Sequence, residues 1–277
     1  FGLFGYAFAK VESIPQIDRN TGRVTLVLSA DPGKRVYVRR INISGNSRTR
    51  DEVIRREFRQ LESAWYDGQR IKLSRDRVDR LGYFSDVDVE TNEVPGSADQ
   101  VDLTFTLKEK ATGSLLVGVN FSSADKLSFT ASIKQDNVFG TGNYLGIELN
   151  TSRSGRTLVL STVDPYFTDD GISRSLDLYY KTQKPLNSQG EEYELVTPGA
   201  SVRFGVPFSE FDTVFFGIGV ERTEIKSTTA LPENFFRYRA LFGDKSTSFP
   251  LTVGWQRDGR DSALVPTNGR SARFNLE

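Results

Sequence analysis

The sequence predicts a small α+β module followed by an antiparallel transmembrane β-barrel, truncated to about nine strands. Three observations carry that expectation. Mixed helical and strand periodicities stop near Thr112, and beyond it nearly every apolar pattern has period two. No apolar run approaches the roughly 18 residues of a transmembrane helix, and mean hydropathy is -0.40; a barrel that alternates apolar and polar residues keeps such a soluble-looking average. Finally, 20 Phe and 10 Tyr in 277 residues favour strands and interfacial girdles.

The first part is slightly basic, with 19 Lys and Arg against 17 Asp and Glu up to Thr112. Val36 to Ile43 is rich in β-formers and closes on a Gly45-Asn46 turn. Thr49 and Glu52 have the spacing of a capping box, and Ile54, Phe58, Leu61 and Trp65 follow at helical spacing until Asp67-Gly68. Ile71, Ser74, Val78 and Leu81 predict a second helix, with Gly82 just past its end. Val87 and Val89 then alternate with Asp86, Asp88 and Glu90. After a Pro95-Gly96 turn, Val101, Leu103, Phe105 and Leu107 alternate with polar residues. The order is β-α-α-β-β. The opening segment echoes its end: Gly5-Tyr6, Pro15, Val24 and Leu26 parallel Gly82-Tyr83, Pro95, Val101 and Leu103, as in a tandem array.

From Gly113 the strands follow one another. Leu115 to Phe121, Leu127 to Ile133, Leu145 to Leu149, Leu176 to Tyr180, Val202 to Phe208, Val214 to Val220, Phe249 to Trp255 and Ala272 to Leu276 all alternate, and Thr157 to Asp164 is a less regular ninth. Their second face is often small or polar, at Gly118, Gly146, Gly205, Gly217, Gly219, Ser128 and Asn150, as a barrel lumen requires. Tight connections at 139–142, 168–171 and 209–212 alternate with long polar ones at 184–199 and 226–247, which is the outer-membrane barrel pattern. A soluble up-and-down β domain is the plainer alternative. The last strand is still in progress at Glu277, and Phe1 is not a native start, so the chain is expected to be a fragment or processed product. Nine strands without a closing partner should aggregate if isolated.

Composition removes much chemistry. With no His and no Cys there is no Ser-His or Cys-His dyad and no thiolate or imidazole metal site, so no enzyme, metal or cofactor is expected. The absence of Cys leaves the redox compartment open. A net charge of +0 argues against nucleic acid. Gly140, Gly142 and Gly146 do not match the dinucleotide fingerprint and precede a strand, so a hairpin turn is expected. Asp169-Asp170, and Asp258 with Asp261, sit beside Gly in turns, where Asp is favoured for backbone reasons. Arg48, Arg50, Arg55, Arg56 and Arg59 form a basic stretch that reads either as a solvated helix face or as a protein-docking surface.

These residues also carry a resemblance. The stretches RVYVRRINISGNSRTRDEVIRREFRQLESAWYDG (35–68) and VDRLGYFSDVDVETNEVPGSADQVDLTFTLKEKATGS (78–114) resemble the last polypeptide-transport-associated (POTRA) domain of the BamA family, the central subunits of the bacterial outer-membrane β-barrel assembly machinery. QDNVFGTGNYLG (135–146), DPYFTDDGIS (164–173) and PTNGRSARFNLE (266–277) resemble that family's early barrel strands and turns. The resemblance implies the end of a preceding POTRA domain at 1–32, the last POTRA domain at 33–110, and at 113–277 about nine of sixteen barrel strands, in an outer membrane with POTRA domains in the periplasm.

It further implies folding catalysis without covalent chemistry. In that family the first barrel strand is an edge that pairs incoming strands; here it would comprise Leu115, Leu116, Val117, Gly118, Val119, Asn120 and Phe121. The strand with Val87, Asp88 and Val89 would offer a second, POTRA edge. Arg55, Arg59 and Glu62, on one helix, would dock the lipoprotein BamD. The implied partners are BamD and other accessory lipoproteins, unfolded outer-membrane barrel proteins and outer-membrane lipid. A two-partner secretion transporter exporting one cognate protein is the alternative; a TamA-type assembly relative and a passive porin are more distant rivals.

Overall fold

A computed structural model describes residues 2–18, 22–123, 126–184, 193–227, 233–260 and 266–277. Two compact units meet at Ala111 and Thr112, and each is described by itself.

The first unit opens with a single 3-10 turn, Gly2–Phe4, and an antiparallel hairpin of β1 (Lys10–Asp18) and β2 (Arg23–Asp31). The echo holds at its glycines: Gly5 and Gly82 both have positive φ, precede Tyr and lead into a hairpin. It fails at the prolines. Pro15 lies within β1 opposite Leu26, whereas Pro95 lies in the connection after the next hairpin's first strand.

The module beyond it has β3 (Tyr37–Ser44), α1 (Asp51–Arg55), α2 (Gly68–Arg80), β4 (Phe84–Glu93) and β5 (Gln100–Glu109). β5 is central, parallel to β3 and antiparallel to β4. Val101, Leu103, Phe105 and Leu107 point from it into a core with Val38, Ile41, Val53, Ile54, Phe58, Ile71, Val78 and Val87. The Phe58 and Phe105 rings are 4.5 Å apart. Gly45 is required at the end of β3: its φ is +88°, and a Cβ there would collide with the Leu107 carbonyl.

The long first helix is not formed. α1 stops at Arg55, Arg56 caps it, and Ser63 turns the chain at φ +62°. Residues 63–66 then run back along β3: Ser63 N donates to Val38 O at 2.7 Å, Val38 N to Ala64 O at 2.9 Å, and Tyr66 N to Val36 O at 3.0 Å. Ile54 and Phe58 are buried as the helical stripe requires, but Leu61 and Trp65 are exposed. Polar groups replace the lost helical ladder. Buried Gln60 donates to the Leu61 and Trp65 carbonyls and accepts from Asp67 N, and Ser74 Oγ accepts from Arg59 N and Gln60 N. The capping box is also absent: Arg50 is the N-cap and makes no side-chain cap bond. The Glu109 carboxylate takes the Arg48 and Thr49 amides and the Ser47 hydroxyl instead. Asp67, read as a break, is the N-cap of α2, accepting from Gln69 N and Arg70 N.

The second unit is a ten-stranded antiparallel sheet: β6 (Gly113–Ser122), β7 (Lys126–Val138), β8 (Asn143–Thr151), β9 (Gly155–Asp164), β10 (Ser173–Gln183), β11 (Tyr193–Pro207), β12 (Asp212–Ser227), β13 (Lys245–Ser248), β14 (Leu251–Asp258) and β15 (Ser271–Leu276). Nine follow one path from β6 to β15, matching the nine expected segments, and β13 pairs with the far end of β12. Three readings are corrected. The stretch 226–247 contains a helix, α3 (Glu233–Phe242), as well as β13. The stretch 184–199 is shortened, because β11 already begins at Tyr193; residues 185–192 lie outside the described residues. The two rims are less unequal than expected. Connections 123–125 and 152–154 are short although they share a rim with the long ones, and 259–270 is long on the tight-turn rim. Among the described residues no helix is long and apolar enough to cross a membrane, which says nothing of a barrel.

Candidate functional site

Register sorts the large sheet into two faces. Leu115, Ile133, Ile147, Leu160, Leu178, Ala200 and Val220 lie across seven strands in one apolar row. The adjacent row on the opposite face reads Ser114, Lys134, Gly146, Ser161, Asp177, Ser201 and Gly219. That face is cross-linked by polar contacts: Lys134 Nζ to Glu148 at 2.7 Å, and Tyr179 Oη and Ser248 Oγ both to Glu221 at 3.0 Å. Large exposed aliphatics on one face and bonded polar groups on the other fit lipid outside and water inside.

β6 ends the strand path, with β7 as its partner. Asp136 N donates to Thr112 O at 3.0 Å. In an antiparallel ladder both backbone polar groups of a residue point the same way and alternate along the strand. Gly118 and Asn120 therefore turn theirs toward β7, as does Leu116. Leu115, Val117, Val119 and Phe121 turn theirs to the outer edge and their side chains to the apolar face. A Cβ at Gly118 would meet only Thr130 Cβ at 3.9 Å, so no close approach demands glycine there.

In the α+β module β4 is a true sheet edge. Its outer groups are not uniformly free: Arg75 Nε of α2 donates to Val87 O at 3.0 Å. By alternation Val89 also faces outward, whereas Asp88 bonds toward β5.

The three residues expected to dock a partner are not on one helix, because α1 ends at Arg55 and Arg59 lies in the irregular segment beyond it. Arg55 and Glu62 do meet. Arg55 Nη1 lies 3.7 Å from Glu62 Oε1, and Arg55 Nε bonds Asp51 at 2.9 Å. Both also bind Ile41 of β3: Glu62 Oε1 accepts its amide at 2.8 Å and Arg55 Nη2 donates to its carbonyl at 3.2 Å. Arg59 Nη1 instead donates to the Arg56 and Phe58 carbonyls. Sequence spacing brought the first two together for the wrong reason, and nothing in it signalled Ile41 as their common partner.

The remaining motifs are structural. Gly142 N donates to Asn137 Oδ1 at 2.8 Å in a hairpin turn leading to β8. Asp258 is held by the Arg260 guanidinium at 2.6 and 2.8 Å; Asp261 lies outside the described residues. Among the described residues no group of three carboxylates could hold a metal.

Comparison with known proteins agrees with this geometry. The Omp85 superfamily domain matches residues 137–277, and a POTRA domain, described as a surface antigen variable number repeat, matches residues 36–110. The chain belongs to the Omp85 superfamily. Within that superfamily its similarity to BamA proteins runs along the whole chain. It is 37% identical to the outer membrane protein assembly factor BamA of Neisseria meningitidis serogroup B, over 100% of this chain and 36% of that protein. It is 29% identical to BamA of Nitratidesulfovibrio vulgaris, over 96% of this chain and 32% of that one. It thus spans about a third of these relatives' length. The crystal structure of BamA from Haemophilus ducreyi lacking POTRA domains 1–3 superposes with a TM-score of 0.78 at 30% identity, covering 99% of this chain and 54% of that one. CdiB from Acinetobacter baumannii, at 13% identity and TM-score 0.55, shares the fold. An Omp85 chain of this kind resides in the bacterial outer membrane, with its POTRA module in the periplasm.

Proposed function

We propose that this chain is the POTRA and early-barrel part of an outer-membrane protein assembly factor, which folds and inserts β-barrel proteins. The observation that carries the reading is β6, an end strand whose outward backbone groups belong to Leu115, Val117, Val119 and Phe121, in a chain similar throughout to BamA assembly factors. An unfolded barrel protein has backbone groups that are costly to place in lipid, and an edge strand pairs them one strand at a time. β6, from Leu115 to Phe121 with Leu116, Gly118 and Asn120 between, serves as that template. The β4 edge of the POTRA module receives passing chains, with pairing beginning at Val89 because Arg75 occupies Val87. Arg55, Arg59 and Glu62 form a charged surface for an accessory lipoprotein of the BamD kind.

The test uses the full-length protein in liposomes with a urea-unfolded outer-membrane barrel protein as substrate. Faster substrate folding, lost when β6 is disrupted, supports the reading. Conductance or export of one cognate protein without faster folding would reject it in favour of a transporter.

A further inference from the structure

Every parallel or mixed sheet leaves outer backbone groups to be satisfied, and an unguarded edge pairs with whatever strand arrives. Along this side of β3 they include the groups of Val36, just before the strand, and of Val38 and Ile41 within it. Main chain from 63–66 takes both groups of Val38 and the Val36 carbonyl, and the Gly5 carbonyl takes the Val36 amide. At Ile41 two side chains continue the line: the Glu62 carboxylate takes the place of a neighbouring strand's carbonyl, and the Arg55 guanidinium takes the place of its amide.

The two halves of this cover are held differently. Trp65 fixes the 63–66 segment, stacked on Tyr37 at 3.8 Å with the Arg35 guanidinium 5.3 Å above its ring. The Arg55 and Glu62 side chains are 44% and 46% exposed, so charges in solution or on another molecule can reach them. A solvent-exposed ion pair at 3.7 Å is easily exchanged.

We propose that Arg55 and Glu62 are a gate on the POTRA sheet. Closed, they stand in for a strand and shut β3 to extended polypeptide at Ile41. Drawing Glu62 away frees the Ile41 amide, and release of Arg55 frees the carbonyl; together they open a second strand-pairing edge, on the side of the sheet opposite β4. The gate does not depend on the docking role proposed for the same residues. Anything that competes for the Glu62 carboxylate would open it.

The experiment uses the full-length protein in detergent micelles, with amide hydrogen exchange resolved at Ile41 and with Val38, bound to Ala64, as internal reference. Glu62→Ala removes the acceptor; Glu62→Gln removes the charge and keeps an acceptor. The expected result is at least tenfold faster exchange at Ile41 in Glu62→Ala, with Val38 unchanged and Glu62→Gln close to the parent. A photocrosslinking residue in place of exposed Asn42 should then capture a urea-unfolded outer-membrane protein several-fold more in Glu62→Ala than in Glu62→Gln. Equal exchange at Ile41 in parent and Glu62→Ala would overturn the gate, as would a matching rise at Val38. Equal capture by the Ala and Gln variants would overturn it too.

Discussion

The Asp136 amide donates to the Thr112 carbonyl at 3.0 Å, and this single bond fixes which half of the β6 backbone faces outward. Proline placed where the donor is unused within the sheet removes that donor without breaking a bond of the ladder, and fixes φ there. Val117→Pro or Val119→Pro is therefore expected to abolish accelerated substrate folding in liposomes while β6 stays paired to β7. Gly118→Ala, which meets no close neighbour, should fold substrates normally. Full activity of both proline variants would reject β6 as the template.

Charge and acceptor functions at Glu62 can be separated. If a lipoprotein docks through charge, Glu62→Lys and Glu62→Gln should both lower its co-purification several-fold. Only substitutions that also remove the acceptor should loosen Ile41. Unchanged recovery of the partner in Glu62→Lys would reject the docking surface.

The two sheet faces are testable because the sequence has no Cys. Leu178→Cys, in the apolar row, should resist a membrane-impermeant maleimide in the intact membrane. Asp177→Cys, on the polar face, should react at least tenfold faster. Equal reactivity would reject the assignment of lipid and water faces.

A further test concerns the Glu57 and Arg77 pair, 2.7 Å apart with Glu57 buried. It ties the turn after α1 to α2. Removing Glu57 leaves the partly exposed Arg77 guanidinium without that carboxylate, and Glu57→Ala should cost about 2 kcal/mol of POTRA stability, read from hydrogen exchange of the β5 amides. A loss near zero would show that water replaces the carboxylate freely.

Acid should weaken the same module. Burial alone would raise the Glu109 carboxyl, but donors from Thr49, Ser47 and Arg48 outweigh it and hold it below the ordinary carboxylate range. Hydrogen bonding to Arg39 lowers Asp102 likewise. Lowered carboxyls contribute stability that is complete above their unfolded values, about 4, and lost as pH falls through the folded ones. Glu109→Gln should flatten the decline in exchange protection of the Thr49 amide below about pH 4; an unaltered profile would remove Glu109 from the account.

The pattern of two architectures, the nine-strand path and the β-α-α-β-β order were legible in the sequence because apolar periodicity records which face of an element is buried. Leu178 and Val220 belong to alternating patterns before any neighbour is known. One limit on the chain's chemistry was equally legible: without His or Cys there is no imidazole or thiolate to act as base, nucleophile or metal ligand.

The route between elements was not. Ile54, Phe58, Leu61 and Trp65 are evenly spaced for a helix, yet residues 63–66 gain more by covering the β3 edge than by extending α1. Helical spacing is a local signal, whereas an unpaired sheet edge is a demand made by residues far away in sequence. The α3 helix within 226–247 was missed because its ten residues, ENFFRYRALF, are few and their apolar members set only a weak helical period. What the sequence determined by itself is which residues must leave water and which backbone is strand-forming. Only the tertiary structure decided that Arg55 and Glu62 share Ile41, because that contact exists only once β3 has found β5 and been left with an open side.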